Sequence, residues 1–249
     1  MYTLRTRFAK DIVAEFLPPA HKTKKQRVVI IASGAPSTPN KGPVIKFFSQ
    51  HGFWAIHFRY RGSWESSGKF LAIPPSQDII DIAEQLPKGF KDLWNQKTYK
   101  IQPEQIIVLA SSFGGAAGII ASQHQSIDKV VSFSPLIDWT RPGPDEPYHK
   151  MIKFFAEAYG EGFRLAPHMW DKLKKGKFFN PINYINKVDG SKNLIIHAQD
   201  DRTCPYKITQ DFAEQTGSKL ITLSKGDHLG GSLIMKPRFY KLFLKFIKS

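Results

Sequence analysis

The sequence predicts an α/β fold built on a mostly parallel sheet covered by helices on both faces. Three observations carry this. Short β-branched runs such as Arg27-Val28-Val29-Ile30-Ile31-Ala32 and Gln105-Ile106-Ile107-Val108-Leu109 are almost continuously apolar, as strands buried on both faces must be. Stretches with helical apolar spacing separate these runs, so strand and helix alternate along most of the chain. The 249 residues are enough to bury one such core.

Residues 2–8 and 12–17 read as two antiparallel strands joined by a turn at Lys10-Asp11. The strand at 27–32 ends in Ser33-Gly34-Ala35-Pro36-Ser37. A helix over about 43–51 follows, with Val44, Phe47 and Phe48 on one face. Residues 53–58 form the next strand, and Arg59 to Gly68 a loop. Pro75 and Ser76 open a helix that runs through Ile79, Ile80 and Ile82 to Leu86. The strand at 105–109 leads into a helix of small residues, and 129–133 is again a strand. Residues 193–197 and 219–223 are the last two strands, with a helix over 206–216 between them. From about Pro237 a closing helix puts Phe239, Leu242, Phe243, Phe246 and Ile247 on one face and Lys241, Lys245 and Lys248 on the other.

Residues 138–190 break the alternation. No strand is evident there, and aromatics are dense: Trp139, Tyr148, Phe154, Phe155, Tyr159, Phe163, Trp170, Phe178 and Phe179. One helix is expected over 147–159, with Ile152, Phe155, Ala156 and Tyr159 on a face and Gly160 as its stop. The expectation is one domain over 1–249, with 138–190 inserted into it as a small helical cap. Most of its aromatics should bury the cap against the core, and a few should line a pocket.

Composition sets limits. A hydrophobic content of 41% with 23% charged residues is that of a soluble globular chain. No apolar run approaches the ~18 residues that a membrane span needs, and no secretory leader is visible. The lone Cys204 excludes an internal disulfide, which fits a reducing cytoplasm. The formal charge of +15 could draw nucleic acid, but it is spread along the chain. Its densest clusters, 22–27 and 172–177, read as solvated faces. A nucleic-acid partner is therefore not expected.

The chemistry gathers at Leu109-Ala110-Ser111-Ser112-Phe113-Gly114-Gly115, where the strand meets the helix. A serine at such a sharp turn, with small residues two before and two after, is a nucleophile elbow. The turn pushes the hydroxyl into the open and brings the flanking chains too close for large side chains. With Ser112 as nucleophile those positions are Ala110 and Gly114, which fit. With Ser111 they are Leu109 and Phe113, which clash. The alternative is an ordinary joint with a serine N-cap.

A serine hydroxyl needs a histidine to take its proton, and the histidine needs an acid to orient it. In an α/β sheet such groups belong in loops at the carboxyl ends of strands. His228, in the glycine-rich loop after the last strand, has that position. His197 precedes the acid in sequence, the wrong order, and His57 lies in mid-strand. His21, His51 and His124 fall elsewhere, and His149 and His168 are weak alternatives in the insertion. The acid belongs in the loop after 193–197, where Asp201 in mid-loop and Asp200 nearer the strand compete and spacing scarcely separates them. Asp138 is a further candidate whose plain reading is to anchor the insertion.

Four segments together resemble the α/β-hydrolase superfamily, specifically its prolyl oligopeptidase and dienelactone hydrolase branches, over nearly the whole chain. Ser33-Gly34-Ala35-Pro36 resembles the His-Gly-Gly-Pro oxyanion loop. Residues 59–68 resemble an Asp-Tyr-Arg-Gly-x-Gly-x-Ser-x-Gly loop. Residues 197–205 resemble His-Gly-x-x-Asp-x-x-Val-Pro, which places the acid on Asp201. Gly226-Asp227-His228 matches the histidine loop. The order Ser112, Asp201, His228 is that of the superfamily. Ser33, Ala35, Arg59 and Trp64 depart from its pattern, so no substrate carries over.

The resemblance and the residues imply acyl transfer in two steps. Ser112 attacks, His228 takes the proton and Asp201 holds the imidazole. The backbone N–H groups of Phe113 and Ala35 meet the oxyanion, since Pro36 has no N–H. No cofactor and no metal are expected. The expected substrate is a small carboxylic ester, with a short peptide or acyl-peptide as alternative. A catalytically inactive hydrolase fold that only binds is a second alternative.

Overall fold

A computed structural model describes residues 2–165 and 167–249. Ten strands and seven α-helices appear among the described residues. In chain order they are β1 (Leu4–Phe8), β2 (Ile12–Leu17), β3 (Arg27–Ala32), α1 (Gly42–Gln50), β4 (Trp54–Phe58), α2 (Pro75–Gln85), β5 (Phe90–Lys91), β6 (Thr98–Tyr99) and β7 (Gln105–Ser111). Then follow α3 (Phe113–Ala121), β8 (Lys129–Phe133), α4 (Tyr148–Phe154), α5 (Pro167–Lys174), β9 (Asn193–Ala198), α6 (Tyr206–Thr216), β10 (Lys219–Leu223) and α7 (Pro237–Phe246).

Eight of the strands form one sheet in the order β1-β2-β4-β3-β7-β8-β9-β10. The β1–β2 and β2–β4 pairs are antiparallel, and every later pair is parallel. This is the mostly parallel sheet that the apolar runs predict. The hairpin between β1 and β2 turns through Ala9 and Lys10, both at positive φ (46° and 65°). That handedness matches the twist of the strands, although neither residue is a usual choice for it.

The alternation of side chains in β3 divides the core. Val28, Ile30 and Ala32 face α2 and α3 through Ile79, Ile82, Ala116, Ala117 and Ile120. Val29 and Ile31 face α1 and α7 through Val44, Ile45, Phe48, Phe239, Phe243 and Phe246. α6 adds Ile208, Phe212 and Ala213 against Ile195 and Ile119. Each fully buried side chain of this size contributes about 1.5–3 kcal/mol relative to exposure.

Between β8 and β9 the described residues hold no strand, and the sequence there packs as helices. The single helix expected over 147–159 is instead α4 followed by a π-helical turn, Phe155–Tyr159. Widening the last turn by a residue rotates the buried stripe. Met151 and Phe155 go inside while Ala156 stays exposed. Tyr159 packs edge-on to Trp64, with centroids 6.3 Å apart. The insert is joined to the 59–71 loop by bridges at Ser63–Phe163 and Phe70–Leu165. Gly62 permits this, since a Cβ there would lie 1.8 Å from the Phe70 nitrogen. Beneath the insert, Phe113 packs against Tyr60, Phe70, Trp139 and Phe179. No described helix is long and apolar enough to cross a membrane.

Candidate active site

Ser112 sits between β7 and α3 with φ 50° and ψ −121°. A non-glycine residue there is strained and must be held by its surroundings. Its N–H donates to Phe133 O at 3.0 Å, and its carbonyl accepts from Gly115 N at 2.9 Å and Leu136 N at 3.1 Å. The close approach that forbids large neighbours is visible directly. A Cβ on Gly114 would lie 2.1 Å from Ala32 O, and one on Gly115 would lie 2.5 Å from Pro135 Cβ. Gly34, on the facing loop, is less tightly constrained, since a Cβ there would lie 3.3 Å from Ser112 Cβ. Gly114→Ala is therefore expected to force the elbow away from β3 and lower stability by about 3 kcal/mol or more, read as a fall in Tm.

Asp201 and His228 meet. The His228 Nδ1–H lies 3.0 Å from Asp201 Oδ2 and 3.2 Å from Oδ1. The Asp201 side chain is wholly buried and that of His228 is 27% exposed. Oδ1 also accepts from the N–H groups of Thr203 and Cys204, each at 2.9 Å. Burial pushes the Asp201 carboxyl up, but the hydrogen bonds from His197 and His228 outweigh it and hold the pKa well below the usual carboxylate range. With Nδ1 committed as a donor to Asp201, Nε2 carries the free lone pair.

Asp200 has a different task, accepting from Asp227 N at 2.9 Å and so fastening the histidine loop to the acid loop. Leu229 N donates to Ser134 Oγ at 3.0 Å, tying the same loop to the end of β8. Asp138 anchors the insert by accepting from Thr140, Arg141 and Asn180.

Ser112 and His228 line one cavity of about 290 Å³, together with Ala35, Lys41, Val44, Glu146 and Phe154. Among the described residues no hydrogen bond joins Ser112 Oγ to the imidazole, a contact that commonly tightens only when substrate is bound. Ser111 lines the same cavity, yet its backbone belongs to β7, paired with Phe133. The Cys204 thiol also reaches Ser112. Burial and the carboxylates of Asp201 and Glu146 push it well up, so it stays protonated. Among the described residues, no hydrogen bond engages the amide of Phe113 or of Ala35. No group of three potential metal ligands occurs among the described residues.

Three positioning contacts were not evident in the sequence. The loop carrying Ala35 is pinned by His57 Nε2 to Ser33 Oγ (3.1 Å), by Tyr60 OH donating to Ser33 O (3.0 Å), and by Trp64 Nε1 donating to Ser37 O (3.0 Å). Trp64, a departure from the loop pattern that residues 59–68 resemble, thus has a task. So does Arg59, which is buried and paired with Glu15 and Glu65. His197, set aside on chain order, is the second histidine on Asp201. Its Nε2–H faces Asp201 Oδ2 at 3.0 Å and Cys204 O at 2.9 Å. Its place four residues before the acid, at a strand end, is the one signal that points to it.

A second cavity of about 760 Å³ lies between the insert and the 59–71 loop, lined by Lys69, Phe155, Phe163 and Trp170 among others, and includes none of Ser112, Asp201 or His228. Of the insert's aromatics, Phe154 reaches the Ser112 cavity.

No family model matches the sequence, and no curated protein does. Solved structures do match. The chain is similar to an acylaminoacyl peptidase of Pyrococcus horikoshii, with 20% identity and a TM-score of 0.65 over 99% of this chain and 41% of that one. It therefore spans well under half the length of that peptidase. It is similar to the esterase Pf2001 of Pyrococcus furiosus, with 19% identity and a TM-score of 0.66 over 99% and 90% of the two chains. It is similar to Est1E of Butyrivibrio proteoclasticus, with 14% identity and a TM-score of 0.66 over the whole of both. With these neighbours and its eight-stranded, mostly parallel sheet, the chain has the α/β-hydrolase fold.

Proposed function

We propose that the protein is a serine hydrolase that cleaves a small carboxylic ester through an acyl-enzyme intermediate. The observation that carries this is the Asp201–His228 pair opening onto the cavity where Ser112 sits on a strained turn. In the proposed reaction Ser112 Oγ bonds to the substrate carbonyl carbon as His228 Nε2 takes the hydroxyl proton. Asp201 stabilises the imidazolium through its Nδ1–H. The carbonyl oxygen, now negative, accepts from the amides of Phe113 and Ala35. The intermediate collapses, the ester C–O bond breaks, and the leaving alcohol takes the proton from His228. Water then attacks the acyl-serine with His228 as base, and the acid leaves. The insert is proposed to act as a cap, since Glu146 and Phe154 extend from it to the cavity.

Likeness to an acylaminoacyl peptidase supports a second reading, in which the acyl bond is that of a blocked peptide. The test is labelling by a fluorophosphonate probe. Wild type and Ser111→Ala should label and Ser112→Ala should not. A wild type that stays unlabelled would replace this reading with that of a fold used only for binding. Ester and peptide panels then separate the two acyl substrates.

A further inference from the structure

The Ser112 cavity holds one lysine, Lys41, on the loop that leads into α1. Its side chain caps nothing and makes no ion pair or hydrogen bond among the described residues. The residue is half-buried among apolar walls that include Val44 and Leu109, and this desolvation pulls its pKa down. Glu146 is the one carboxylate on the same cavity, and no ion pair links it to Lys41. The charges that act on Glu146 are His228, Asp201 and Asp145. Ser37 and Ser232 also line this cavity, and among the described residues no hydrogen bond engages either hydroxyl. At about 290 Å³ the space is near the lower end of ligand pockets and suits a compact molecule.

A half-desolvated ammonium without a partner, in the same cavity as Ser112 and two further serines whose hydroxyls are unbonded, lacks an anion. We propose that Lys41 binds a carboxylate of the substrate, so that the preferred substrates are half-esters of short dicarboxylic acids. This rests on the hydrolase reading above for the reaction, but not for the binding. Lys41 acts here as a specificity-determining residue. Glu146, on the insert side, would repel the same carboxylate and so favours the orientation that turns it toward Lys41.

The test separates binding from catalysis. In Ser112→Ala protein, calorimetry with monomethyl glutarate should give measurable binding, and Ser112→Ala/Lys41→Gln should bind it about tenfold or more weakly. Lys41→Arg in the same background should restore most of the affinity. Dimethyl glutarate, which is neutral, should not distinguish these proteins. Equal affinity for the half-ester with and without Lys41, or no binding to either protein, overturns the proposal. In the otherwise native protein, Lys41→Gln should lower kcat/KM for 4-nitrophenyl hemiglutarate about tenfold more than for 4-nitrophenyl butyrate. An equal loss on both esters also overturns it. The hydrolase reading fails separately, if Ser112→Ala still turns over the butyrate.

Discussion

Ser112→Ala, His228→Ala and the double variant are each expected to lower kcat on a 4-nitrophenyl ester by about the same amount, roughly six orders of magnitude. The equality is the informative part. A nucleophile and its base act as a unit, so once either is gone, removing the other costs little more. The geometry motivates this, because Ser112 and His228 share a cavity while Nδ1 of the imidazole is occupied by Asp201, leaving Nε2 free to serve the hydroxyl. A residual rate above that in water should persist in all three variants from the Phe113 and Ala35 amides. Stopped-flow and end-point assays across the set check it. Losses that multiply in the double variant would mean that the two residues act independently, and the proposed proton transfer would fail. Circular dichroism is expected to stay native, since a smaller side chain at 112 or 228 leaves the backbone bonds of Ser112 and Leu229 in place.

Much of this was legible in the sequence, for physical reasons. Strands buried on both faces cannot afford polar residues, so 27–32, 105–109, 129–133 and 193–197 stand out, and the structure places a strand at each. The sharp turn at Ser112 is legible because Gly114 lies against Ala32 O, where no larger residue fits. The paired strands β5 and β6 were missed because each has two residues, too few to show a period. The break in the helix after Phe154 was missed because a π turn follows from packing Phe155 and Tyr159 against other parts of the chain. The same limit hid His197. Residue order separates a base from an acid, but it says nothing about a second histidine that reaches the acid from behind. Lys41 was silent for a similar reason. A lysine before a helix reads as solvated until the fold places it in a cavity.

Asp201→Asn is expected to cost about four orders of magnitude in kcat, with substrate binding little changed. An amide in place of the carboxylate offers one oxygen and one N–H₂ group to neighbours that are all donors. The His197 Nε2–H, the His228 Nδ1–H and the amides of Thr203 and Cys204 now compete for a single acceptor. If the N–H₂ group turns toward His228, the imidazole must accept at Nδ1. Its proton then moves to Nε2, where it blocks uptake of the Ser112 proton. The contrast is Asp200→Asn, expected to lose less than tenfold, because Asp200 holds only the backbone of Asp227. Stability supplies an independent readout with a definite sign. The native Asp201 carboxyl is held below the ordinary carboxylate range despite its burial, through its bonds to His197 and His228. Its stabilising contribution is therefore complete above the unfolded value of about 3.9 and is lost as pH falls through the lower folded value. The difference in unfolding free energy between wild type and Asp201→Asn should be full near neutrality and should shrink below about pH 4. Urea titrations of both proteins at several pH values measure that difference. A gap that widened on acidification would show that Asp201 is not the carboxylate these histidines stabilise, and the orientation of His228 would need another source.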